Sequence, residues 1–138
     1  MMSQQVYVYV AAPYSGDVTL NVSRACVAAD RVWARGGVPF VPHLSHLWDL
    51  VSRRPYEEWL EWCLAWVERC DLLVRLEGKS PGATREVERA AELGIPCLLV
   101  PWDMPDRKPW EAVASAIAIG KARQNKALAA LVVKRSKP

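Results

Sequence analysis

The chain has 138 residues, which suits one domain with its own core and leaves little room for two. Hydrophobic residues make up 51% and charged residues 24%, a balance that excludes disordered and fibrous classes. The net charge of +3 gathers late, in Lys121, Arg123, Lys126, Lys134, Arg135 and Lys137 with no acid after Glu111. The body is therefore near neutral, and nucleic acid is not the expected partner.

Residues 1–5, MMSQQ, lack the basic start and long apolar run of a signal peptide. No apolar stretch reaches the length of a bilayer span, so no membrane contact is expected. Residues 6–12, VYVYVAA, are β-rich and apolar on both faces, as a covered central strand should be. Pro13, Tyr14, Ser15, Gly16 and Asp17 break it. A helix is expected over 19–34, where Val22, Ala25, Cys26, Ala29 and Val32 recur at helical spacing, and Gly36-Gly37 stops it.

A short strand over 38–41 follows. Residues 42–55 hold His43, His46, Trp48 and Asp49 without a clear period, and read as a functional loop with at most one helical turn. Then come a helix over 56–69, a strand over 71–76, a turn over 77–82, and a helix over 83–93 closed by Gly94. A strand over 97–100, a loop marked by prolines 101, 105 and 109, and a basic helix over about 110–135 complete the chain. The cysteines at 26, 63, 70 and 97 form no CxxC pair and no zinc spacing. They read as reduced core thiols in a cytoplasmic protein.

Alternating β and α segments predict an α/β fold: three layers, flavodoxin- or Rossmann-like, with a parallel sheet of four to five strands and helices on both faces. Residues 1–138 are read as one such domain. Ligands of these sheets sit beyond the carboxyl ends of the strands, where strand order reverses. That rule selects the segments 13–18, 42–55 and 77–82.

The third of these is the most informative. Ser80 suits an N-cap, Pro81 a first helical position, and Gly82 allows close backbone approach to a ligand. Such a turn is an anion cradle, or simply a well-capped helix. Within that helix Arg85, Glu88, Arg89 and Glu92 share one stripe, the solvated face. Glu86 lies instead at the edge of the apolar side, half-turned toward the core. Burial there raises a carboxyl pKa and the helix N-terminus lowers it. Such a carboxylate can attack a sugar carbon, or can be held by a neighbouring Arg or hydroxyl.

Four segments together resemble the nucleoside 2-deoxyribosyltransferase-like superfamily, over roughly residues 6–100. They are YVAAPYSGD from Tyr9, PFVPHLSHLWD from Pro39, CDLLVRL from Cys70, and SPGATRE from Ser80 with LGIP from Leu93. The likeness is greatest to its small bacterial and phage branch, a domain of unknown function. It implies that Glu86 attacks the anomeric carbon of a nucleoside, that the base leaves, and that water or a second base resolves the glycosyl-enzyme. Tyr9 would lie beside the nucleophile. Pro13, Tyr14, Ser15, Gly16 and Asp17 would hold sugar or phosphate, and Ser80 a 5′-phosphate. A homo-oligomer is implied too, dimer or larger. No cofactor is implied.

One departure concerns the acid that protonates the base. The family's Asp falls eight residues before Asp71, at Cys63. Cys63 reads as a core thiol, so Asp49 or His46 is left to supply the acid. His43 and His46 with Asp49 make a weak metal pattern, and no metal is expected; they read as cleft residues with Ser80 and Gly82. Trp48 could stack on a base, while Trp59, Trp62 and Trp66 suit a core or subunit contact. Arg75 is expected to pair with Asp71 or Glu77, or to meet a ligand phosphate. The competing readings are an N-glycosidic bond enzyme, a non-catalytic nucleotide sensor, and a nucleic-acid binder using the basic helix.

Overall fold

A computed structural model describes residues 4–103 and 108–136. Pro105 of the proline-marked loop and Lys137 of the basic tail lie outside the described residues. Four strands, β1 (Tyr7–Ala11), β2 (Val38–Phe40), β3 (Leu72–Leu76) and β4 (Cys97–Val100), form one sheet in the order β2-β1-β3-β4. Every pairing is parallel, with Tyr9 opposite Phe40 on one side and Leu73 on the other. The expected α/β sheet is present.

Among the described residues five α-helices accompany the strands: α1 (Val18–Ala34), α2 (Ser45–Val51), α3 (Tyr56–Val67) and α4 (Pro81–Glu92) between them, and α5 (Lys108–Ser136) after β4. Alternation along β1 sorts its side chains between two cores. Val8 and Val10 meet Ala25, Ala28 and Val32 of α1 and Trp110, Val113 and Ile117 of α5. Tyr9 and Ala11 meet Val67 of α3 and Ala83 and Ala90 of α4. Helices therefore cover both faces, and β1 is buried on both.

Segment 42–55 differs from the loop expected. A 3₁₀ turn (Pro42–Leu44) leads directly into α2. Seven residues make only about two turns, too few for a period to be seen against noise. None of the α2 residues is buried, so it leaves no apolar stripe either.

The first turn of α5 is anchored by Trp110, fully buried, whose indole N–H donates to the Pro101 carbonyl at 2.9 Å. The guanidiniums of Arg31 and Arg35 lie over its ring, 5.5 and 5.4 Å from the centroid. Among the described residues no helix is long and apolar enough to cross a membrane.

β2 and β3 flank β1, so the chain reverses direction across the sheet between the carboxyl ends of β1 and β3. Gly78 in the turn after β3 seals this point. It has φ +125, and a Cβ there would stand 2.8 Å from Pro13 Cγ in the turn after β1. A side chain would force the two turns apart.

Gly37, before β2, has no room for a different reason. A Cβ there would meet Val32 Cγ1 at 2.9 Å and both Ile117 Cδ1 and Val8 Cγ2 at 3.0 Å. Side chains of three elements, α1, α5 and β1, converge on that spot. Gly37→Ala should therefore lower stability by about 1–3 kcal/mol, the usual cost of overpacking, read from a urea melt. An unchanged midpoint would show that this core is looser than described.

Candidate active site

α4 begins as the sequence suggests. Ser80 Oγ accepts the Ala83 N–H at 3.1 Å, and Pro81 occupies the first turn. The cap fixes the helix rotation. Arg85 and Arg89 then face solvent and pair with Glu88 and with Glu68 and Glu92. Glu86 turns inward and is 7% exposed.

Glu86 meets the α3/α4 face of the sheet. Tyr9, 0% exposed, lies behind it, with Cys63 of α3 and Arg75 of β3 close enough to act on its charge. The Tyr9 hydroxyl and Glu86 Oε2 are both buried without a hydrogen bond of good geometry, although each alters the other's ionisation. Burial pushes the Glu86 carboxyl up to about 7, against opposing pulls from Tyr9 and Arg75. Burial first, and then the Glu86 charge, hold the Tyr9 phenol well above its ordinary value. The Cys63 thiol is pushed up to about 12, chiefly by burial and secondly by Glu86.

Arg75 departs from expectation. It pairs with neither Asp71 nor Glu77, because Asp71 Oδ2 accepts the Tyr7 N–H at 2.9 Å and the guanidinium turns along the strand. It donates to the carbonyls of Leu76 and Gly78, the latter at 2.7 Å, and so braces the turn that carries Ser80.

Glu86 lines a cleft of about 560 Å³, within the range of small-molecule sites. Tyr14, Ser15, His43, Asp49, Ser80 and Gly82, all anticipated from the sequence, line it too. Other anticipated residues stand behind the wall. The Pro13 carbonyl bonds His43 Nε2 at 2.9 Å, Asp17 caps α1 through the Leu20 N–H, and Gly16 turns the chain at φ +96. His46 Nδ1 is 2.6 Å from the Tyr14 hydroxyl and orients it. Tyr9 is buried beneath Glu86. Burial also lowers the His43 pKa, which favours a neutral ring.

Trp48, read from the sequence as able to stack on a base, is 46% exposed but does not line the cleft. It sits on α2 with its edge against Trp59 and Trp62, at 5.1 and 6.1 Å. Trp59 faces the cleft instead, and its indole N–H donates to Asp49 Oδ1 at 2.7 Å. The same oxygen accepts the Arg54 N–H at 3.1 Å. These two bonds, the indole first, lower the Asp49 pKa. Both bonds favour the ionised form of that carboxylate.

Cys63 also differs from the core thiol expected, because it is half-buried and lines the cleft beside Glu86. Arg54, Tyr56 and Lys79 complete the wall and carried no local signal. Gly82 leaves space that Tyr56 uses: a Cβ there would lie 3.1 Å from the Tyr56 hydroxyl.

Residues 6–100 match the model of a family described as Domain of unknown function (DUF7768). No curated protein matches the chain. Among solved structures, it is similar to a 2-deoxyribosyltransferase from the psychrotolerant bacterium Bacillus psychrosaccharolyticus. The TM-score is 0.58 at 19% identity, over 70% of this chain and 72% of that one. The shared architecture is the one the sequence motifs resemble.

A carboxyl raised from 4.5 to about 7 by folding has a definite linkage sign. The native state favours the protonated form, so the cost of ionisation is absent below pH 4.5 and complete above 7. At about 1.4 kcal/mol per tenfold change in proton affinity, that cost is roughly 3 kcal/mol. Glu86→Gln keeps the shape without the charge. It should match the wild type in stability at pH 4 and exceed it at pH 8 by about 1–3 kcal/mol. Equal stability at both pH values would mean that Glu86 is solvated.

Proposed function

The chain belongs to the DUF7768 family, and we propose that it cleaves or transfers the N-glycosidic bond of a nucleoside or nucleoside 5′-monophosphate, with Glu86 as nucleophile. The observation that supports this most is a buried carboxyl lining the cleft with one oxygen uncommitted and the Tyr9 phenol beside it. Its pKa of about 7 leaves a large ionised fraction at neutral pH in a poorly solvated place, where a carboxylate is reactive. The fold it shares with a 2-deoxyribosyltransferase points the same way.

In this reaction a Glu86 oxygen attacks the anomeric carbon. The carbon–nitrogen bond breaks, its electron pair goes to the base, and the base takes up one proton from solvent water. A glycosyl ester of Glu86 remains. Water or a second base attacks the same carbon, gives up one proton, and releases Glu86 as carboxylate. Tyr9 turns its hydroxyl to the carboxylate and favours the ionised form. Asp49, kept ionised by Trp59 and Arg54, accepts a hydrogen bond from the base rather than protonating it.

A second reading, a nucleotide sensor without turnover, draws on the same wall. Neither Cys63, with its thiol near 12, nor ionised Asp49 offers a carboxylic acid proton to a departing base at neutral pH.

Chromatography of free base from deoxynucleosides and from deoxy- and ribonucleoside 5′-monophosphates separates the two. Turnover by the wild type, reduced at least about a thousandfold in Glu86→Ala, is the expected result for a nucleophile. Saturable binding with no base released from any substrate favours the sensor. The rate should climb with pH to a plateau above about 7, because the ionised form reacts, and fall about tenfold per pH unit well below it. Since Tyr9 lowers the Glu86 pKa, Tyr9→Phe should move that midpoint upward. A downward shift, or none, would remove Tyr9 from its tuning role.

A further inference from the structure

Among the described residues, the carboxyls that line the cleft are Asp49 and Glu86. Glu86 is the nucleophile of the reading above. Asp49 Oδ1 accepts both the Trp59 indole N–H and the Arg54 N–H, while Oδ2 takes no partner among the described residues. Two donors on one oxygen favour the carboxylate and leave its other oxygen open.

His43, Tyr14, Cys63 and Arg54 do not replace a carboxylic acid. His43 Nε2 meets the Pro13 carbonyl, which only accepts, so Nε2 carries the hydrogen and Nδ1 of the neutral ring has none to give. Burial, and then Asp49, hold the Tyr14 phenol above its ordinary value. Burial, and then Glu86, do the same to the Cys63 thiol. Arg54 does not give up a proton.

Aromatic rings share this wall. Tyr14, Tyr56 and Trp59 line the cleft with Asp49. Ring faces attract cations, and these indoles already hold one. The Arg54 guanidinium lies 5.1 Å from the Trp48 centroid and 5.6 Å from that of Trp59. Arg54 forms no ion pair with Asp49 among the described residues, so the carboxylate charge is not spent on it. Lys79, the other cation of the wall, is exposed and screened by solvent.

We propose that this cleft takes nucleosides or nucleotides whose base carries a fixed positive charge, a pyridinium or a ring-alkylated purine, and that Asp49 receives that charge. This rests on the glycosidic reading above and narrows its leaving group. A Glu86 oxygen attacks the anomeric carbon and the carbon–nitrogen bond breaks. The electron pair of that bond cancels the positive charge of the ring. The base departs as a neutral molecule and takes up no proton. Water then resolves the glycosyl ester of Glu86 and gives up one proton. A wall without a carboxylic acid, a handicap for a neutral base, is no handicap here.

Calorimetry on full-length Glu86→Gln tests this without turnover, using pairs that differ in charge. Nicotinamide riboside is set against its neutral dihydro form. 7-Methylguanosine, in slightly acidic buffer that keeps it cationic, is set against guanosine. The cation should bind at least about tenfold more tightly than its neutral partner. The difference should shrink as salt rises. Asp49→Asn in the same background should erase most of it, whereas Arg85→Gln, at an exposed ion pair on α4, should leave it intact. A preference within one pair alone supports the proposal and tells which ring the cleft takes.

Equal affinity within both pairs overturns the proposal, whether or not the Asp49 variant folds. So does a preference undiminished in a folded Asp49→Asn variant. A charge preference with no base released from any nucleoside by the wild type leaves the cation site standing and removes the glycosidic reading. Base release from neutral nucleosides without a charge preference does the reverse.

Discussion

Burying the Glu86 carboxyl against the Tyr9 hydroxyl works against folding, and much of the surrounding structure serves to hold it there. The Ser80 cap sets the rotation of α4, so that Arg85 and Arg89 take the solvent stripe and Glu86 has one direction left. Arg75, on the same face of β3, supplies a positive charge toward Glu86 and ties down the turn that begins the helix. The contact of Gly78 with Pro13 locks that turn to the end of β1, where Tyr9 originates. Remove the acid and the same wall would be an ordinary apolar seam. Active sites commonly retain a destabilising group of this kind because the chemistry requires it.

The wall behind the site is aromatic and continuous. Tyr9 contacts Phe40 at 5.7 Å, Phe40 stacks on Trp66 at 4.9 Å, and Trp62 links Trp66 to Trp59 and Trp48. Tilted and edge-to-face rings of this size restrict one another's rotation. The series runs from the phenol beneath Glu86 to the indole that bonds Asp49 and the guanidinium of Arg54. The two ends of the cleft are thereby placed relative to each other by packing, which a loop could not do as well.

Tyr14 in the turn after β1 and His46 on α2 extend the same logic. Tyr14 faces the cleft, with His46 fixing its hydroxyl and Asp49 raising its pKa after burial does. The helical character of 45–51 matters here, because it puts His46 and Asp49 on a rigid turn above the strand ends.

What the sequence by itself determined follows from local periodicity and chain order. Alternation in VYVYVAA marked a central strand, the βα order demanded a parallel sheet, and one solvent stripe on α4 singled out Glu86 by exclusion. Those signals are legible because each is set by neighbours within two helical turns. Only the tertiary structure decided the rest. Trp59 and Asp49 meet across a helix boundary, Tyr56 fits where Gly82 has no side chain, and Cys63 reaches Tyr9 from another layer. Arg54 lines the cleft with its guanidinium over two indoles. Such contacts depend on how helices of different layers are rotated against the sheet. That rotation is fixed by packing between residues distant in sequence, and no local pattern records it.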